Sequence, residues 1–179
     1  MTKMIHSLVT KLTLSFIGLI LLIAGLAFFI TYQETKKALK EQMSSELKSV
    51  ASAVAVTIDG GAHARIKAGG EGSPEFMKIA EQLMKVKNAN GQITYIYTMK
   101  KTGEEARFVV DPDPEDPAAI DEAYPDAPRE LFEGFIKISA DRDFVTDKWG
   151  TYISGYSPIR YSLGNSVGLF GVDMNHKDV

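Results

Sequence analysis

Cysteine is absent from this 179-residue chain. Disulfides and thiolate metal sites are therefore excluded, while the redox compartment stays open. No GxSxG, P-loop or HExxH pattern occurs, so no motif places a nucleophile, a phosphate cradle or a zinc base. The three histidines, His6, His63 and His176, are too far apart in sequence to suggest a ligand pair. Basic residues are in deficit after residue 32: 18 Lys+Arg stand against 23 Asp+Glu, a net charge of −5. That balance argues against nucleic acid, which selects basic surfaces. The most consequential absence is of charge between Leu12 and Ile30, nineteen residues bounded by Lys11 and, further on, Glu34.

A helix rises about 1.5 Å per residue, so some 20 apolar residues cross a hydrocarbon core of about 30 Å. A helix also satisfies every backbone amide internally, as lipid requires. A cleaved signal peptide is the rival reading. Its apolar core would be about 7–15 residues, followed by small residues at the cleavage site. Ala27-Phe28-Phe29-Ile30-Thr31-Tyr32 offers no such site, and Tyr32 sits where an interfacial aromatic would. The expectation is an uncleaved anchor over residues 12–32, a short tail over 1–11, and a domain over 33–179. Lys3 and Lys11 precede the span, and Lys36, Lys37, Lys40 and Lys48 follow it. Counted literally, these favour a cytoplasmic domain.

Glycine and proline are missing from Leu26 to Asp59. Leu39, Met43, Leu47, Val50, Val54 and Ile58 recur at helical spacing, one apolar stripe on a helix over 33–58. Continuous with the anchor, it would make a rod of roughly 70 Å. Asp59-Gly60-Gly61 is expected to end it, with glycine taking left-handed angles. Helices are expected within 62–88, the second starting at Ser73-Pro74-Glu75 with a capping hydroxyl and proline in the first turn. From Gln92 the period changes to two. Strands are expected at Ile93–Met99, Ala106–Asp111, Phe144–Thr146, Thr151–Arg160 and Ser166–Asp173, with a tight turn at Leu163-Gly164-Asn165. Asp111 to Pro128 holds seven carboxylates, five prolines and no basic residue, so it reads as an extended loop. A short helix over 129–138 follows. The class is α+β: a transmembrane helix continuing into a long helix, then a five-stranded antiparallel sheet over 92–173 with flanking helices. The segment after the second strand can cover one sheet face and leave a cavity beneath it.

Six short motifs occur in order: Ile58-Asp59-Gly60-Gly61-Ala62-His63, Glu71-Gly72-Ser73-Pro74-Glu75-Phe76, Tyr95-Ile96-Tyr97-Thr98-Met99, Phe108-Val109-Val110-Asp111, Ser154-Gly155-Tyr156-Ser157-Pro158-Ile159, and Gly168–Asp173. As an ordered set they resemble the single-Cache, PAS-like sensor domains of bacterial transmembrane receptors, from about Gln33 to Asp173. The resemblance implies an extracytoplasmic domain held at the cytoplasmic (inner) membrane. It implies a small-molecule ligand and a signal passed to a cytoplasmic output such as a kinase, cyclase, phosphatase or chemotaxis module. It favours an outside domain over the literal charge count. This sequence stops about where a second membrane helix would begin, and the expectation is a fragment of a longer receptor. This chain itself is expected to be no enzyme and to need no cofactor or metal.

Tyr152, Ser154 and Tyr156 alternate on one strand, and Tyr95 and Tyr97 on another. Phenol and hydroxyl groups can orient a polar ligand in an apolar pocket; the alternative is that they are core. Trp149 is the only tryptophan. Asp111 and Asp173 are read as strand-end carboxylates that could hold an amine or cation, and in related Cache sensors an acid late in the last strand often serves ligands. Arg142 and Lys148 could instead pair an organic acid, while Arg160 is expected to face solvent. The ligand classes are thus organic acid, amino acid or amine. Asp111-Pro112-Asp113-Pro114-Glu115-Asp116 lacks the glycine and spacing of a calcium loop and reads as an acidic rim. His63 reads as a structural contact. The helix stripe either covers the chain's own sheet or pairs with a second copy as a parallel homodimer. A structural module with a filled core, and a tethered enzyme, are the competing classes.

Overall fold

Helical backbone runs unbroken from Thr2 to Ala55 as α1. The computed structural model describes residues 2–161 and 164–175, with side chains from residue 8 onward. Two units divide the chain, Met1–Lys40 and Glu41–Val179. In the first, every residue from 8 to 39 is exposed. Leu12, Phe16, Leu21, Phe28 and Ile30 all lie more than half open. Monomeric soluble proteins rarely leave so large an apolar surface uncovered. This part of α1 is long and apolar enough to cross a membrane. Near its end the Lys36 ammonium lies 5.4 Å from the centre of the Tyr32 ring.

In the second unit α1 becomes amphipathic. Met43, Leu47, Ala51, Val54 and Ala55 are buried in a core shared with Ile96, Ile153, Phe170 and Val172 of the sheet. The stripe from Met43 onward therefore covers the chain's own sheet, and Leu39 stays exposed. The helix stops at Ala55, short of the expected Ile58. Asp59 starts the next helix, α2 (Gly60–Arg65), instead of ending α1. Its carboxylate accepts the Gly61 and Ala62 N–H groups at 2.8 and 3.0 Å, an N-cap. Neither Gly60 nor Gly61 is left-handed. Gly60 is needed for closeness, since a Cβ there would stand 2.7 Å from the Arg160 carbonyl carbon. His63 of α2 is buried against Gly168, and neither ring nitrogen has a hydrogen bond among the described residues. Burial lowers its pKa to about 4, so it is neutral at pH 7. Ser73 caps α3 (Pro74–Ala89) by accepting the Phe76 N–H, with Pro74 in the first turn.

The strands are β1 (Ile93–Thr102), β2 (Glu105–Val110), β3 (Ser139–Ala140), β4 (Val145–Asp147), β5 (Gly150–Arg160) and β6 (Ser166–Asn175), with α4 (Arg129–Gly134) between β2 and β3. All pair antiparallel in the order β2-β1-β6-β5-β3, and β4 also pairs with β5. The described sheet thus has six strands, not five. β3 is too short to show a period, and α4 stops at Gly134. Leu163 of the expected turn and the tail from His176 lie outside the described residues. Register slips between Ile93 and Tyr95, marking a β-bulge. It puts Ile93 in the helix-side core, while Tyr95, Tyr97 and Met99 belong to the opposite face.

Gly155 is where the sheet admits α1. A Cβ there would stand 2.7 Å from both the Leu47 Cβ and the Leu47 carbonyl carbon. Gly155→Ala should therefore lower stability by about 1–3 kcal/mol, the usual cost of overpacking. Chemical denaturation measures it, and an unchanged midpoint would show that α1 does not sit this close.

Candidate functional site

β6 lies between β1 and β5, and register sets the floor of a cavity on the face away from α1. Asp173 is opposite Tyr95 on β1 and Ser154 on β5. Two residues away, Gly171 is opposite Tyr97 and Tyr156. Strand side chains alternate, so both rows project to the same face. Gly171 supplies the room for the Tyr97 ring, because a Cβ would lie 2.6 Å from its Cζ.

The walls come from β2 and the segment after it. Phe108 packs edge-on against Tyr97, with ring centres 5.4 Å apart, and against Trp149 at 5.6 Å. Tyr124 meets Trp149 at 5.8 Å, and Tyr95 meets Tyr152 at 5.2 Å. Asp111, Asp116, Val145 and Asp147 complete the lining. Asp147 shapes the β4–β5 turn: one oxygen accepts the Trp149 and Gly150 N–H groups, and the other accepts the Tyr124 hydroxyl at 2.7 Å. The cavity, its open mouth included, has a volume of ≈ 550 Å³, so a small solute fits.

Charge in this cavity has one sign. Asp173 is 8% exposed, and its carboxylate accepts the Tyr97 hydroxyl at 3.2 Å. Burial pushes it up to about 8, against the lowering effect of the Ser154 and Tyr97 hydrogen bonds. Behind the floor, Asp141 accepts the Ser154 N–H at 3.0 Å and the Tyr156 hydroxyl at 3.3 Å. Burial raises it to about 7, and its second oxygen has no hydrogen bond. Asp111 is also raised by burial, although it accepts the Asp113 and Ala118 N–H groups. Burial holds the Tyr97 and Tyr156 phenols well above their usual value, so both stay protonated.

Eight of the ten residues singled out in the sequence line this cavity: Tyr95, Tyr97, Asp111 and Trp149, with Tyr152, Ser154, Tyr156 and Asp173. Arg142 and Lys148 lie outside the lining. Arg142 is turned outward beside Glu130 at 3.7 Å. Lys148 pairs with Glu122 at 2.7 Å and stands 4.1 Å from the Trp149 ring centre. Asp173 is no strand terminus, since β6 continues to Asn175. The lining also includes Phe108, Asp116, Tyr124, Val145 and Asp147, which the sequence did not single out. Phe108 could have been found from its alternation with Ala106, which shares its face of the sheet. Tyr124 lies in a loop with no period, and nothing local marks it.

No family model matches the chain, and no curated protein matches it either. Solved structures do. The extracellular domain of the putative histidine kinase mmHK1S-Z2 superposes with a TM-score of 0.51 at 16% identity, over 82% of this chain and 58% of that one. The ligand-binding domain of the Campylobacter jejuni chemoreceptor Tlp3, in complex with L-valine, gives 0.50 at 14% identity, over 81% and 57%. This chain has the fold of receptor sensor domains. The single-Cache resemblance carried by the six motifs agrees with that fold, and the class is α+β as read. The chain spans under three fifths of either neighbour's length, at 58% and 57%. Ahead of this fold stands an N-terminal helix long and apolar enough to cross a membrane.

The buried carboxyls make stability depend on pH. The unfolded chain releases the Asp173 proton near the ordinary aspartate value of 3.8, whereas the folded protein holds it until about 8. Between those values the folded state binds more protons, so stability falls as pH rises. The thermal midpoint should therefore drop from pH 5 to pH 8, and Asp173→Asn should flatten that fall. Equal slopes in both proteins would mean that Asp173 ionises freely.

Proposed function

We propose that this chain is the ligand-binding sensor of a bacterial receptor in the cytoplasmic membrane. The anchor is residues 12–32, and the extracytoplasmic sensor domain is residues 33–179. Occupancy of the cavity passes through α1 to a signalling output on the other side. The ligand is a small organic acid, amino acid or amine, and the site residues are those of the cavity floor and walls. The observation that carries this reading is a polar, aromatic-walled cavity built on the sheet of a receptor sensor fold.

A short connection between cavity and helix supports the transmission step. The Ser44 hydroxyl of α1 donates to the Asp141 carbonyl at 2.7 Å. The Asp141 carboxylate holds Ser154 and Tyr156, which line the cavity. Between those two residues, Gly155 meets Leu47 of α1. A solute that shifts Tyr156 thus acts on groups one strand away from α1. It moves the equilibrium only through differential affinity for two states.

Thermal-shift screening of the full chain in detergent, against amines, amino acids and organic acids, tests the reading. At least one solute should raise the midpoint by mass action, by about 2.7 kcal/mol at 100 times its Kd. Tyr156→Phe should weaken that solute and keep the fold. It is cleaner than Tyr156→Ala, because Tyr156 is only 2% exposed and truncation would cost about 3–5 kcal/mol of stability. No shift across the three classes would favour a filled structural module, and turnover of a hit would favour a tethered enzyme.

Pairing of α1 in a parallel homodimer has its own test. The chain has no cysteine, and Lys48 is exposed on α1. Lys48→Cys should form a disulfide-linked dimer in membranes, at a rate that changes with a stabilising solute. A protein that stays monomeric under oxidation would remove the dimer.

A further inference from the structure

The lining of the cavity carries four carboxylates, Asp111, Asp116, Asp147 and Asp173, and no lysine, arginine or histidine. The nearest ammonium groups lie outside it and are paired. Lys87 is 3.4 Å from Asp113, and Lys148 is 2.7 Å from Glu122. A solute bearing a carboxylate would find no positive counter-charge in this lining, which is costly where water is excluded.

The hydrogen-bonding groups point the same way. Four of the five phenol protons in the lining are already committed: Tyr97 donates to Asp173, Tyr124 to Asp147, Tyr152 to the Trp149 carbonyl and Tyr156 to Asp141. What these groups leave for a solute is oxygen lone pairs and ring surfaces. Both attract positive charge, the rings through their quadrupoles. Two of the rings already carry a cation from outside: Lys87 lies 5.5 Å from the Tyr95 centre, and Lys148 lies 4.1 Å from that of Trp149.

On the sensor reading above, we propose that this cavity selects an organic cation, a protonated or quaternary amine that carries no carboxylate. Asp173, at the centre of the floor, is the counter-ion. Burial raises its pKa to about 8, the behaviour of a carboxyl with no positive partner among the protein's own groups. A bound ammonium supplies that partner and drives the proton off, so binding near neutral pH releases protons. A hard metal ion is a poorer occupant. It wants six or more oxygens, and among the described residues no group of three or more acidic or histidine side chains is placed to hold one.

Isobutylammonium, L-valine and 3-methylbutanoate share a branched skeleton and differ in which charged groups they carry. Calorimetric titration of the full chain in detergent at neutral pH, with tetramethylammonium as a fourth probe, tests the proposal. Isobutylammonium or tetramethylammonium should bind at least about tenfold tighter than L-valine, the least expected from one unpaired buried carboxylate. 3-Methylbutanoate should not bind. Heats measured in buffers of different ionisation enthalpy should reveal the released proton. Asp173→Asn should weaken the amine by about tenfold or more and abolish proton release. Asp116→Asn at the exposed rim should cost only about two- to threefold, which keeps the test sound if Asp173→Asn folds poorly. Equal or tighter binding of L-valine or 3-methylbutanoate would overturn the cation class and leave a sensor standing. No binding of any of the four at millimolar concentration would also overturn it, and the broader thermal-shift screen would then decide the sensor reading separately.

Discussion

Burial of Asp173 without a cation beside it is the constraint on which the cavity depends. The residue sits in the middle strand of the sheet, opposite Tyr95 and Ser154, where water is largely excluded. A carboxyl in that position favours its neutral form. The hydroxyls of Tyr97 and Ser154 compensate it in part. Asp141 behind the floor repeats the arrangement, with one oxygen bonded and the other bare. Buried polar groups left incompletely matched cost stability.

Strand alternation connects this opening to the helix. On β5, Tyr152, Ser154 and Tyr156 face the cavity, while Ile153 belongs to the core that α1 covers and Gly155 lies against Leu47. The side chain missing at Gly155 brings Leu47 onto the strand backbone. The Ser44 hydroxyl on the Asp141 carbonyl adds a polar contact between α1 and the loop that braces the floor. Helix and cavity thus share one strand, on alternate residues, with no intervening layer to absorb a shift. Packed interiors respond to small displacements by changing arrangement because they contain few voids.

Much of this was legible in the sequence where a period exists. The uncharged run from Leu12 to Ile30 and the stripe from Met43 to Val54 specify a helix whose environment changes along its length. The alternation of Tyr95 with Tyr97, and of Tyr152, Ser154 and Tyr156, places most of the floor on one face. What stayed hidden depends on tertiary geometry. Tyr124 and Asp116 reach the lining from an aperiodic loop, and Asp147 does so from a three-residue strand. Arg142 and Lys148 looked like ligand cations because sequence cannot show that Glu130 and Glu122 already meet them outside the lining. Asp59 looked like a helix stop because a glycine pair followed it, but its carboxylate caps the next helix. Each miss has one cause: the partner that decides the role is distant in the chain or lies on the far side of a turn.

The ionisation of Asp173 is the quantity closest to the central claim. Carbon-13 NMR of its side-chain carboxyl in the full chain, titrated with and without isobutylammonium, reads it directly. The account predicts a midpoint near 8 in the empty protein and a clear downward shift with the amine present. A midpoint near the ordinary carboxylate value of about 4 in the empty protein, or one that the amine leaves unmoved, would contradict it.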